Sequence, residues 1–206
     1  MKYAAVLVLL VWSSMTAGCF LLDQAPPSLH LTAQPTPIPT TESRVSTVEP
    51  TAMALQISDL PDGYTIKERS DVSYAEINPI ARDEGWKKGY YVAFYRMNTK
   101  NYDITGISQQ ISIYPLNRMA LIFDEVKNGI ISRTNASVSV TELPFPKTGD
   151  RTIALRTIDA NDSYGIIVYT VIFTKKDVFE QIEMRGTTTD YEVLKDITAR
   201  AALKIR

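Results

Sequence analysis

ITGISQQISIY, residues 104–114, alternates with a period of two. Ile107, Ile111 and Ile113 fall on one side, and Ser108, Gln110 and Ser112 on the other. This is the pattern of a strand with one covered face. It decides the fold class because its neighbours are further strands on short connections. Lys88–Met97 precedes it across Asn98–Asp103, and Ser137–Glu142, Arg151–Ile158, Tyr164–Thr174 and Val178–Gly186 follow. Such hairpin-length links imply a mainly antiparallel sheet. Gly165–Phe173 is apolar on both faces, as a central strand covered on both sides should be. Upstream, Leu55–Ile57 and Tyr64–Glu68 read as short strands around Leu60-Pro61-Asp62-Gly63, an order suited to a tight turn.

Helices fit between these strands. Asn78-Pro79 places a cap and a first-turn proline before a short helix ending at Gly85. Leu116, Met119, Phe123, Val126 and Ile130 form one apolar stripe at helical spacing. Thr189-x-x-Glu192 has the form of a capping box, opening a last helix with Leu194, Ile197, Ala201 and Ile205 inward. The expected fold class is therefore α+β, a mainly antiparallel β-sheet with helices packed on it, formed by a single domain over 54–206.

The chain before Ala54 is different. Residues 24–53 hold six of the 11 prolines among many Ser and Thr, a composition that favours polyproline II and a disordered linker over a packed element. His30, the only histidine, lies there with no second ligand nearby. Further back, Lys2, the apolar run Ala4–Trp12 and the small, polar Ser13–Gly18 make the three parts of a signal peptide. The run is shorter than the ~20 residues a spanning helix needs.

Thr16-Ala17-Gly18-Cys19 then contains the sole cysteine. The tetrad resembles the lipobox of prokaryotic lipoproteins, with Thr16 where Leu, Val or Ile is usual, a form similar to lipoproteins of methanogenic archaea. The resemblance implies removal of residues 1–18 and lipidation of Cys19, leaving 19–53 as a lipidated linker. The expected location is the extracytoplasmic face of a cell membrane, with the lipid on Cys19 as the membrane partner. The other reading is a plain secreted protein with a chance cysteine near its cut.

The domain also resembles exported PsbP-like α/β/α-sandwich domains, including those of archaeal surface lipoproteins. The resemblance rests on Asp59-Leu60-Pro61-Asp62-Gly63-Tyr64 and on Val171-Ile172-Phe173-Thr174-Lys175-Lys176 followed by a strand and the helix ending Ala201-Ala202-Leu203-Lys204-Ile205. It implies a protein-binding role and assigns no residue.

Several chemistries are disfavoured. From Ala54 onward acids and bases balance at 20 each, so there is no basic stripe for nucleic acid. The same residues contain neither Cys nor His, the ligands that transition metals favour and the bases that nucleophilic triads use. No phosphate-cradling glycine motif appears, and no catalytic, metal or cofactor residue is assigned. A carboxylate pair for glycoside hydrolysis stays open. Asp159-Ala160-Asn161-Asp162-Ser163 has oxygen ligands at alternate positions, as in a calcium loop, but it lacks the Gly and distal Glu and reads as turn chemistry.

Asn135-Ala136-Ser137 and Asn161-Asp162-Ser163 are glycosylation sequons, at Asn135 and Asn161. Gly85–Tyr95 is rich in aromatics. We read Tyr90, Val92 and Phe94 as facing one buried layer and Tyr91 and Tyr95 the other, with Trp86 and Tyr102 at the strand ends as an exposed pair for a protein partner.

The expected function is a non-catalytic binding or structural role at the cell surface. The alternatives are a small hydrolase using acids alone and a solute-capture lipoprotein serving a transporter. Chelators and reductants should leave the melting temperature unchanged. A drop of several degrees with EDTA would instead assign metal to Asp159–Ser163.

Overall fold

The computed structural model describes residues 48–98 and 103–206. All of them belong to Thr41–Arg206, one of two compact units. In chain order the elements are α1 (Pro50–Met53), β1 (Thr65–Val72), α2 (Pro79–Asp83), β2 (Lys88–Asn98), β3 (Asp103–Ile113), α3 (Met119–Ile131), β4 (Val138–Leu143), β5 (Arg151–Asp159), β6 (Ile167–Lys175), β7 (Val178–Gly186) and α4 (Tyr191–Lys204). The seven strands form one sheet in the order β1-β2-β3-β7-β6-β5-β4, and every neighbouring pair is antiparallel. The expected α+β class is what the chain adopts. Two meanders, β1–β3 and β4–β7, meet where β3 pairs β7.

Alternation along the strands sorts side chains to two faces. Ile107, Ile111 and Ile113 of β3 join Val92 and Phe94 of β2, Ile182 and Met184 of β7 and Val171 and Phe173 of β6 under α4, which contributes Leu194, Ile197 and Ala201. On the opposite face, Met119, Ile122, Phe123 and Ile130 of α3 cover Ile153, Leu155, Ile172 and Phe179. Helices thus lie on both faces, and β6 is buried from Thr170 to Thr174, which accounts for its apolar run.

Turn and cap chemistry sets the ends. Gly63 takes φ +91° after Pro61-Asp62, a left-handed conformation that side chains disfavour. Asn78 caps α2 by accepting from the Ala81 N–H at 2.7 Å. The last helix is capped one residue later than expected. Asp190, not Thr189, accepts from the N–H groups of Glu192 and Val193, because a carboxylate is the better acceptor at a helix N-terminus. Leu116 also leaves its predicted stripe. It sits in a 3-10 turn ahead of α3 and is 55% exposed, while Ile122 fills the inward position.

The largest departure is at the front. Leu55–Ile57 forms no strand. α1 and the 3-10 turn Ile57–Asp59 make a strap across the α4 face, in which Met53, Ala54 and Leu55 are buried. Packing therefore begins ahead of Ala54, inside the proline-rich stretch. The Leu55 N–H donates to Gln109 Oε1 at 2.7 Å instead of to a ladder. Lys204 of α4 donates to the Ala54 carbonyl at 3.2 Å and pairs with Asp59 at 2.7 Å. Burial raises the Asp59 pKa, but Lys204 and the Gln56 N–H outweigh it and hold the carboxyl below its ordinary value.

Met53→Ala should cost about 2–5 kcal/mol in denaturant unfolding, the range for a large side chain removed from a core. A loss under ~0.5 kcal/mol would show that the strap lies outside the cooperative unit.

Candidate functional site

α3 has 13 residues and extends about 20 Å at ~1.5 Å per residue. β3 has 11 and extends about 36 Å at ~3.3 Å per residue. On this face the helix, α2 and Trp86 cover the end of the sheet near Lys88 and Ile113. Around Tyr95 and Gly106 the same face is open. It forms a groove of about 550 Å³ floored by Tyr91, Ala93, Gly106 and Ser108, with Glu183 and Arg185 of β7 along one side. Lys67, at the bulge of β1, closes the other side. Tyr164 and Ile166 of the β5–β6 connection overhang it. Its rim is unusually apolar for a sheet surface: Ile104 is 50% and Tyr164 77% exposed, and Tyr95 and Met97 are exposed as well.

Gly106 gives the groove depth. A Cβ there would meet the Arg185 Cγ at 3.6 Å and nothing closer, so a side chain fits sterically and would project into the groove. The Arg185 stem passes beside this glycine. Glu183 is half-buried. Burial pushes its carboxyl above the ordinary range, while the Arg185 and Arg133 cations partly oppose the shift. Burial likewise raises the Tyr91 phenol, against the effect of its hydrogen bond with Ser108, with Glu68 and Glu183 adding to the rise and Arg185 opposing it.

The other acid with a raised pKa is sealed from solvent. Glu180 lies on the strap face with none of its surface accessible, as does Gln109. Gln109 donates from Nε2 to Glu180 Oε2 at 2.9 Å while its Oε1 holds the Leu55 N–H. Desolvation raises the Glu180 carboxyl to about 8, against the Gln109 hydrogen bond and the Lys204 and Lys175 charges. Buried under the strap and absent from the groove lining, Glu180 clamps the strap.

The sequence-assigned positions fare differently. Cys19, Tyr102 and His30 lie outside the described residues. Trp86 is not exposed. At 6% exposure it belongs to the α3 core cluster, and its Nε1–H donates to Ser112 Oγ at 3.4 Å. The reason is Gly89, where a Cβ would come 3.2 Å from the indole, so the ring lies on the strand itself. Tyr91 and Tyr95, expected in a second buried layer, instead line the groove.

Asn135 and Asn161 are exposed on adjacent turns linked by the Ala160 N–H to the Ser137 carbonyl at 2.8 Å. Asn135 Oδ1 accepts from the N–H groups of Ser137 and Val138, holding its turn. Asp159 and Asp162 likewise accept backbone N–H groups of Asn161, Tyr164 and Ile166, the work of turn residues. Among the described residues no group of three or more His, Cys, Asp or Glu is placed to hold a metal. Sequence reasoning missed Lys67, Tyr164, Glu183 and Arg185. The available signal was Gly106 within a strand, where a missing side chain marks close approach or an opening.

No protein-family model matches the chain, and no curated protein is similar to it. Among solved structures it is similar to the extracellular domain of PknH from Mycobacterium tuberculosis. That likeness has 12% identity and a TM-score of 0.56, over 81% of this chain and 97% of that one. A second, the Rv0999 ortholog from Mycobacterium smegmatis, gives 10% identity and a TM-score of 0.36 over 70% and 92% of the two chains. The first shows a shared fold; the second supports no conclusion.

The Glu180 clamp predicts a pH dependence. Its folded pKa, about 8, lies above the ordinary 4.5, so the folded state binds its proton more tightly. The contribution is fully present below pH ~4.5, declines as pH rises and is lost above pH ~8. Glu180→Gln should leave stability nearly unchanged at pH 4–5, raise it by a few kcal/mol near pH 9 and flatten the slope between. Parallel wild-type and variant profiles in urea would rule out a buried neutral Glu180.

Proposed function

We propose that the protein is a lipid-anchored, extracytoplasmic domain with a non-catalytic binding role, presenting its groove to a ligand or a protein partner at the cell surface. The groove carries the reading: a concave, largely apolar site with a few convergent polar groups is the common form of a binding pocket. Glu183 is the only carboxylate among its lining residues, Glu68 standing outside them near the Tyr91 hydroxyl, whereas hydrolysis by acids alone requires a facing pair. This favours binding over the hydrolase alternative. The solute-capture alternative calls for an enclosed apolar pocket, and this groove is open.

The address rests on Thr16-Ala17-Gly18-Cys19, which makes Cys19 the membrane attachment. Likeness of fold to an extracellular domain supports the same side of the membrane. No helix among the described residues is long and apolar enough to cross a membrane. On that side, Asn135 and Asn161 are accessible for glycosylation, beside the groove.

Two acyl chains anchor stably where one does not, and hydrophobic anchoring is not screened by salt. The wild type should therefore stay with membranes through a high-salt wash, and its intact mass should show a chain beginning at Cys19 with added lipid. Cys19→Ser should carry no lipid mass. A wild-type chain that begins before residue 19, or begins there without lipid, would end the anchor assignment.

A further inference from the structure

The groove's chemistry specifies more than a binding role. Three cations surround it: Lys67 and Arg185 in its lining, and Arg133, which faces Glu183 from the end of α3. Among the described residues none of the three is in a salt bridge. Two carboxylates oppose them, Glu183 and, near the Tyr91 hydroxyl, Glu68. The cations are exposed and outnumber the acids, although the residues from Ala54 onward are formally neutral. The excess is local, and it borders apolar surface.

That surface has the size and shape for a small molecule. Fifteen residues line the groove, fewer than the ~20–30 that one side of a standard protein interface uses. A volume of about 550 Å³ lies within the ~300–1,000 Å³ of small-ligand pockets. Tyr95 and Ile104 offer apolar faces on adjacent strands, and Tyr164 stands over them from its loop. The Arg185 stem passes beside Gly106, and its guanidinium, whose charge acts on Glu183 and Tyr91, can form a two-pronged pair with a planar oxyanion.

Building on the binding reading above, we propose that the groove is a site for a small amphipathic anion. An acyl or flat aromatic body would lie on Tyr95, Ile104 and Tyr164, and a carboxylate or sulfonate would pair with Arg185. Lys67 and Arg133 strengthen the attraction from the rim. Gly106 keeps open the space that the body fills.

The test uses residues 19–206, made without export and hence without lipid or detergent. The probes are 8-anilinonaphthalene-1-sulfonate, decanoate and the uncharged decanol. The sulfonate should bind saturably, at one per chain, with near-UV circular dichroism unchanged. Decanoate should displace it at a concentration at least tenfold below that of decanol. Arg185→Gln should weaken the sulfonate about tenfold or more. Gly106→Leu should abolish binding with the fold retained, because its Cβ would meet nothing closer than the Arg185 Cγ at 3.6 Å.

Absence of saturable binding, equal displacement by decanol, or equal affinity in wild type and Arg185→Gln would each overturn the anion assignment. Should Gly106→Leu lower the melting temperature, Tyr164→Ala is the second variant, and unchanged affinity there would also overturn it. A purified surface protein that binds the wild type but not Gly106→Leu, with both anions failing, would keep the binding role and refute this ligand class.

Discussion

The antiparallel register between β3 and β7 is the constraint on which the rest depends. It joins two meanders into one sheet, pairing Ile107 with Met184, Gln109 with Ile182 and Ile111 with Glu180. Because side chains alternate, the same register sets both faces together. On one face it places Gln109 and Glu180 under the strap. On the other it lays Gly106 beside Arg185 and Ser108 beside Glu183. A slip of one residue in β7 would carry Glu180 to the groove face and Glu183 into the apolar core. Gly186 helps to fix the seam, since a Cβ there would run into the Ile104 carbonyl oxygen.

The two acids of β7 show how position decides chemistry. Glu180 and Glu183 are three apart, an odd spacing, and so face opposite sides. Strap and α4 exclude water from Glu180 and make it a neutral hydrogen-bonding group near pH 7. Glu183 meets a face that α3 is too short to cover, and it keeps two arginines as neighbours. A buried polar pair such as Gln109–Glu180 is costly compared with apolar packing. Here it gives the Leu55 N–H a partner that no ladder supplies, which is one physical reason for its presence.

Much of this fold was legible in the sequence. Period-two alternation located β3, the runs between turn segments located β2, β5 and β7, each to within a residue or two, and apolar spacing located α3 and α4. What failed were the places where tertiary contacts override local pattern. Leu55–Ile57 looks like a strand because its residues are apolar, but Gln109, 54 positions away, takes its backbone N–H. Trp86 looks exposed because it flanks a strand, yet Gly89 makes room for the ring to lie flat. The groove was hidden because it arises from a missing cover. Helix length against strand length could have revealed it, but the strand order that brings Lys67, Arg185 and Tyr164 together could not be read from β1, β7 and the β5–β6 connection separately.

The contrast between edges and open face bears on whether the groove is incidental. An exposed strand edge invites pairing with other chains, and proteins blunt it with charge, bulges or brevity. β1 carries Lys67, Glu68, Arg69 and Asp71 and bulges between Ile66 and Glu68; β4, the other edge, has only six residues. Both edges are protected. The open face, by contrast, retains Tyr95, Met97, Ile104 and Tyr164 in exposed positions. Met97 and Ile104 sit directly opposite one another, forming continuous apolar surface of the kind that marks binding sites. Lys67, Arg133 and Arg185 border this surface without making it polar. That combination of apolar surface and bordering cations is what the proposed amphipathic anion requires of its site.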